Sequence, residues 1–156
     1  ENRSYFGAST YATNEGDLDL VLDVKSKLPA DAKLILVVIA DRPMCFGEIE
    51  PACDAILLGF TDGHGAMPEI GFEHVIEGKV EPSGLLPHPM PKDMDAVEAT
   101  FEDVPRCADC YVDAAGNTYE FCFGLNWSGV IDDERTKTYK AAPLTGPETC
   151  EVKADK

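Results

Sequence analysis

Apolar and polar positions follow two rhythms along this chain, one helical and one of unbroken apolar runs. Residues 1–14 are polar and carry no helical period, which predicts a loop. After Asn14-Glu15-Gly16-Asp17, Leu18, Val21, Leu22 and Leu28 recur at helical spacing. Lys25 and Lys27 stand where cations suit the negative end of the helix dipole, so a helix over 17–28 is predicted, stopped by Pro29. Leu34 to Ala40 is then an apolar run rich in β-branched residues, the pattern of a parallel strand covered on both faces. In such a strand Val37→Asp would bury an unpaired charge and unfold the domain.

The rhythm repeats. Phe46 to Ala52 predicts a short helix despite Pro51, and Ala55 to Phe60 a second buried strand beside the first. Thr61-Asp-Gly-His-Gly65 is a glycine loop, and Met67 to Ile76 supplies a helix. The helices at 17–28 and 67–76 are expected to cover the two strands. Gly84-Leu85-Leu86 leads to a third, shorter strand, broken by Pro87, Pro89 and Pro91. This alternation is that of an open α/β sheet. Met94 to Phe101 then suggests a helix, and Tyr111-Val-Asp with Thr118 to Phe123 a hairpin turning at Gly116-Asn117. Residues 132–156 have little periodicity and form an extended C-terminal arm beyond a domain of residues 1–131.

Helices in parallel sheets normally connect two strands, yet the first regular element here is a helix. The pattern is that of an α/β domain whose opening strands are absent. A three-stranded parallel sheet with a bare edge is expected to pair, either as a discrete dimer or with complementary strands supplied in trans.

Composition narrows the function. The chain has 156 residues, 44% hydrophobic and 27% charged, which fits one globular domain or a domain with a tail. Its longest apolar run is seven residues, far short of the ~20 that span a bilayer. The N-terminus, Glu-Asn-Arg-Ser-Tyr, shows no signal-peptide pattern. The net charge of −16 disfavours nucleic acid and anionic membrane as partners. The tail from residue 135 is net positive, with five bases against three acids, so it either lies across the acidic body or hangs free.

Six cysteines stand at 45, 53, 107, 110, 122 and 150, too sparse and irregular for a disulfide scaffold. Cys45 and Cys53 read as small buried hydrophobes. Cys107-Ala-Asp-Cys110 is one CxxC without a second, so zinc would have to recruit Cys122 or Cys150; a disulfide in that set and free thiols are the other readings. Unpaired thiols favour a cytoplasmic setting. His64, His74 and His88 lack any paired metal spacing, GxGxxG and GxSxG are absent, and no cofactor or metal is expected.

The candidate ligand-binding residues follow strand ends, where open α/β sheets place their sites. They are Asp41 and Arg42 after the first strand, and Asp62 and His64 after the second. An Asp and an Arg there can bracket sugar hydroxyls or pair with each other. Trp127 with Tyr111, Tyr119, Phe121 and Phe123 offers a sugar-stacking platform, or the strand aromatics form one packed face.

The stretch Glu77-Gly-Lys-Val-Glu-Pro-Ser-Gly-Leu-Leu-Pro-His-Pro-Met-Pro91 resembles the signature of the C-terminal domain of glycoside hydrolase family 3, the β-glucosidase and exo-glucanase family. Asp17-Leu-Asp-Leu, Ile39-Ala-Asp-Arg-Pro43, Asp54 to Phe60, Cys110 to Tyr119 and Phe123 to Val130 are similar to the same family in the same order, over residues 2–152. The resemblance implies a three-layer α/β/α sandwich packed on a (β/α)8 barrel. It also implies retaining hydrolysis of terminal β-glucosides by two carboxyl groups roughly 5–5.5 Å apart. The nucleophile belongs to the barrel, which this chain lacks, so the chain alone is expected to be inactive. Glu15 lies near where the family's acid loop ends and is the one acid/base candidate; the simpler reading is a helix N-terminal charge. A stand-alone carbohydrate-binding or protein-interaction module is the rival, and a small thiol or zinc module a third.

Overall fold

A computed structural model describes residues 15–40, 42–60, 69–100 and 109–138. Helix α1 spans Glu15–Lys27, with Glu15 and Asp17 in its first turn and Lys25 and Lys27 in its last, each suiting the dipole end it occupies. Strands β1 (Ile35–Ala40) and β2 (Ala55–Phe60) pair in parallel, with Ile35 opposite Ala55 and Ala40 opposite Phe60. Asp54 sets this register. Its backbone N–H donates to the Leu34 carbonyl at 2.8 Å, while its carboxylate accepts from Leu34 N–H and Lys33 Nζ, each at 2.9 Å. Lys25 of α1 reaches the same carboxylate at 3.7 Å. Between the strands, only a 3-10 turn at Glu50–Ala52 forms where a short helix was expected.

Helix α2 (Glu69–Ile76) lies against β2. A Cβ at Gly59 would stand 2.5 Å from Phe72 Cζ and 3.2 Å from Ile39 Cδ1, so the glycine lets the Phe72 ring close onto the strands. The second expected cover is not there. Helix α1 buries no side chain, and Leu20, Leu22 and Val24 are exposed. Strand β1 is correspondingly open, with Ile35 42% and Val37 40% exposed. The expectation of a strand buried on both faces is therefore corrected: β1 is an apolar strand with an uncovered stretch. Val37→Asp would not bury a charge.

A third parallel strand is absent among the described residues; the sheet there has two. Leu86 pairs elsewhere. Its N–H donates to the Phe123 carbonyl at 2.8 Å, and its carbonyl accepts from Cys122 N–H at 2.9 Å. Farther on, Met90 N–H donates to Tyr119 O, and Lys92 N–H to Asp109 O. The prolines at 87, 89 and 91 fall at the intervening positions, where alternation aims the missing N–H away from the partner. The proline segment thus runs along the downstream turn region instead of joining β1 and β2.

That region is hairpin-like but irregular. Val112 bridges Thr118, Tyr119 N–H donates to Tyr111 O, and Gly116 takes φ +86° in the turn. Asp113 holds the turn, its carboxylate accepting from the backbone of Ala115 and Asn117 and from the Asn117 amide. The expected second strand does not continue to Phe123: Phe123 N–H bonds back to Glu120 O, and Cys122 sits at φ +67°. A regular hairpin follows instead, β3 (Leu125–Asn126) with β4 (Gly129–Val130). Helix α3 (Met94–Ala99) is capped by Asp93, whose carboxylate accepts from Ala96 N–H at 2.8 Å. The region expected to be an extended arm opens with helix α4 (Glu134–Thr138).

The buried apolar residues among those described are Ala40, Phe46, Met90, Pro91, Ala96 and Ile131, with Met90 at 0% exposure. The core therefore sits where the proline segment meets the loop after β1, at the carboxyl end of that strand.

Candidate functional site

Of the residues expected to bind ligand, Arg42 is described and is exposed, two positions past the end of β1. Asp41, Asp62 and His64 lie outside the described residues. Glu15 stands exposed in the first turn of α1, where its charge complements the helix dipole. Cys45, Cys53, Cys110 and Cys122 are not joined in disulfides, and Cys107 and Cys150 fall outside the described residues. Among the described residues no three His, Cys, Asp or Glu side chains are grouped to hold a metal.

The carboxyl end of the β1–β2 sheet carries a residue that the sequence reading weighed only as a metal ligand. The His88 ring meets Phe60, the last residue of β2, edge to face at 5.0 Å. Its Nδ1 is sealed from solvent without a hydrogen-bond partner. Burial pushes the imidazole below its ordinary pKa of 6.5, and nearby backbone at His88 and Pro89 offsets only part of that. His88 is thus a neutral ring beside the strand ends. Its flanking prolines, which restrict the backbone at both sides, were the available signal.

Next to it lies an aromatic cluster. Tyr119 stacks on Phe123 at 4.9 Å, meets Tyr111 edge-on at 5.2 Å and approaches Phe46 at 6.3 Å. Tyr111 Oη donates to Glu50 Oε2 at 2.9 Å. Burial, followed by that bond to a carboxylate, pushes the Tyr111 phenol up to about 12. Burial likewise raises Tyr119. Both phenols therefore keep their protons at neutral pH: they can donate hydrogen bonds and cannot serve as bases. Of the Tyr119, Phe121 and Phe123 expected to form one packed face, Tyr119 and Phe123 stack on each other, and Tyr111 joins them edge-on, while Trp127 is 61% exposed at the β3–β4 turn.

The signature stretch has a mechanical role. Arg135 Nη1 donates to the Ser83 carbonyl at 2.8 Å while its guanidinium grips Asp133. Gly124 backs onto the Gly84 carbonyl so closely that a Cβ would collide with it. Pro82-Ser83-Gly84 is therefore clamped between α4 and the segment entering β3.

No family model matches the chain, and no solved structure does. Three curated proteins are similar to part of it. Beta-glucosidase C of Emericella nidulans is 33% identical over 100 residues, 64% of this chain and 15% of that protein. Probable beta-glucosidase C of Aspergillus flavus and that of Aspergillus oryzae are each 29% identical over 113 residues, 72% of this chain and 16% of theirs. The chain thus spans about a sixth of the length of the curated relatives it matches. It is similar in part to proteins named beta-glucosidase C, on a mixed α/β framework with a small parallel sheet.

Proposed function

We propose that this chain is the C-terminal sandwich portion of a β-glucosidase-like enzyme that hydrolyses terminal β-glucosides with retention. The observation that carries the reading is the partial similarity to three proteins named beta-glucosidase C. In this reading the sheet is part of a three-layer α/β/α sandwich that works only against a barrel. Asp41, Arg42, Asp62 and His64 are its candidates for binding the sugar, and the nucleophile comes from the barrel. Retaining hydrolysis needs two carboxyl groups about 5–5.5 Å apart, which this reading assigns to the complete enzyme.

The test is an aryl β-glucoside assay of the chain alone and of a fungal β-glucosidase C carrying this chain in place of its similar segment. The chain alone is expected to be silent and the chimera to turn over. Hydrolysis by the isolated chain that vanishes on mutating one of its own carboxylates would overturn the proposal.

A second reading, a non-catalytic carbohydrate-binding module, is favoured by one observation. Trp127 is 61% exposed, and its backbone N–H is held by the Glu81 carboxylate at 3.3 Å. Binding of a soluble β-glucan that is lost in Trp127→Ala, in a chain whose chimera stays inactive, would select it.

A further inference from the structure

The tip of the β3–β4 hairpin carries a three-residue pattern that neither the fold nor the proposed hydrolysis uses. Asn126-Trp127-Ser128 is Asn-x-Ser with a residue other than proline in the middle, the acceptor pattern for an N-linked glycan. The chain has four asparagines, and only Asn2 and Asn126 head such a pattern. Asn2 lies outside the described residues. A three-residue pattern arises easily by chance, so the local geometry decides whether this copy can serve.

Asn126 pairs with Gly129, which leaves Trp127 and Ser128 as a two-residue loop. Asn126 Oδ1 accepts from the Ser128 backbone N–H at 2.9 Å, an Asx turn that commits the oxygen branch of the amide to the loop. Nδ2, the branch that would carry a sugar, has no partner among the described residues, and neither has the Ser128 hydroxyl. Asn117 in the preceding turn is the contrast, its amide nitrogen engaged by Asp113 at 2.8 Å. The Glu81 carboxylate holds the Trp127 N–H at 3.3 Å and so fixes the loop. The loop is also accessible. Ser128 and Gly129 are exposed, and Leu125, Trp127 and Val130 leave 45%, 61% and 55% of their surface to solvent. Three large apolar side chains at one hairpin tip invite association, and a hydrophilic chain anchored among them would cover the patch.

We infer that Asn126 is an N-glycan acceptor, and that the glycan it takes in a secretory lumen covers the apolar tip of the β3–β4 hairpin. The donor is a polyprenyl-diphosphate-linked oligosaccharide presented by an oligosaccharyltransferase. Asn126 Nδ2 forms a bond to the anomeric carbon of the first sugar. The carbon–oxygen bond to the diphosphate breaks, and the diphosphate leaves with the electron pair. One Nδ2 proton passes to a base of the transferase, and nothing is oxidised or reduced. The Ser128 hydroxyl, two residues on, is the group the transferase recognises. The fold tolerates a bulky group here because the attachment point borders a surface loop, away from the core around Met90. The inference is independent of any hydrolytic role. It runs against the cytoplasmic setting that unpaired thiols favour, and the native protein decides between the two.

The test is the mass of the full chain, from the native protein and from yeast exporting it behind a cleavable signal, with the modified residue located by peptide mass. Both should carry a glycan at Asn126 that peptide N-glycosidase removes, leaving aspartate there. Asn126→Gln and Ser128→Ala should lose that glycan completely, and Ser128→Thr, which keeps the hydroxyl, should retain it. The intracellular chain is measured as well, because attachment precedes export and a variant that exports poorly still reports. Trp127 is the chain's single tryptophan, so its fluorescence reads the tip alone. Acrylamide should quench it less in the glycosylated chain than after glycan removal. An unmodified Asn126 in either source overturns the inference, and so does a glycan there that survives Ser128→Ala. Equal quenching with and without the glycan overturns the covering role.

Discussion

His88 is where protons should act on this fold. Its folded-state pKa lies below the ordinary 6.5, so the unfolded chain takes up a proton that the folded chain resists. The contribution is whole above about pH 6.5 and is lost as pH falls toward the depressed value. Thermal melts between about pH 7 and pH 5 should show a declining midpoint, and His88→Phe, which keeps a ring against Phe60, should flatten that slope. An unchanged slope in the variant would acquit His88. A second residue-scale prediction concerns Tyr111. Tyr111→Phe removes the bond to Glu50 and should cost about 1 kcal/mol, read as a lower midpoint by denaturant titration. Glu50→Gln keeps an acceptor and should cost less.

The sheet and its helices obey local pattern more faithfully than they obey the wider plan. Helix α1, β1 and β2 were legible because capping charges, a proline stop and β-branched runs act within a few residues. Leu85-Leu86 misled because a short apolar run does not name its partner. Leu86 pairs with Cys122 and Phe123, a choice made by contacts far along the chain. The covering of β1 was illegible for a similar reason: seven apolar residues look the same whether or not a helix lies on them. At the candidate site, Arg42 could be placed from the strand end, whereas the Phe60–His88 contact spans too much sequence for any local period to reveal. Two element-scale outcomes follow. Gly59→Ala should push Phe72 off β2 and destabilise by about 1–3 kcal/mol, measurable by urea unfolding. Val37→Asp, at an exposed position, should remain folded with a cooperative melt.

At the scale of the molecule, the −16 charge opposes compaction, so added salt should raise the melting midpoint. What withstands that repulsion is gathered around Met90. Its sulfur accepts from the Met44 backbone N–H at 3.5 Å, and its backbone ties Tyr111 and Tyr119. Because Met90 is wholly enclosed, peroxide cannot reach its thioether in the closed molecule, whereas Met44 and Met94 are partly accessible. Sulfoxide at Met90 would therefore accumulate no faster than the enclosure opens, and its rate, followed by peptide mass, becomes a clock for that opening. The residue that closes the core is in this way also its chemical timekeeper.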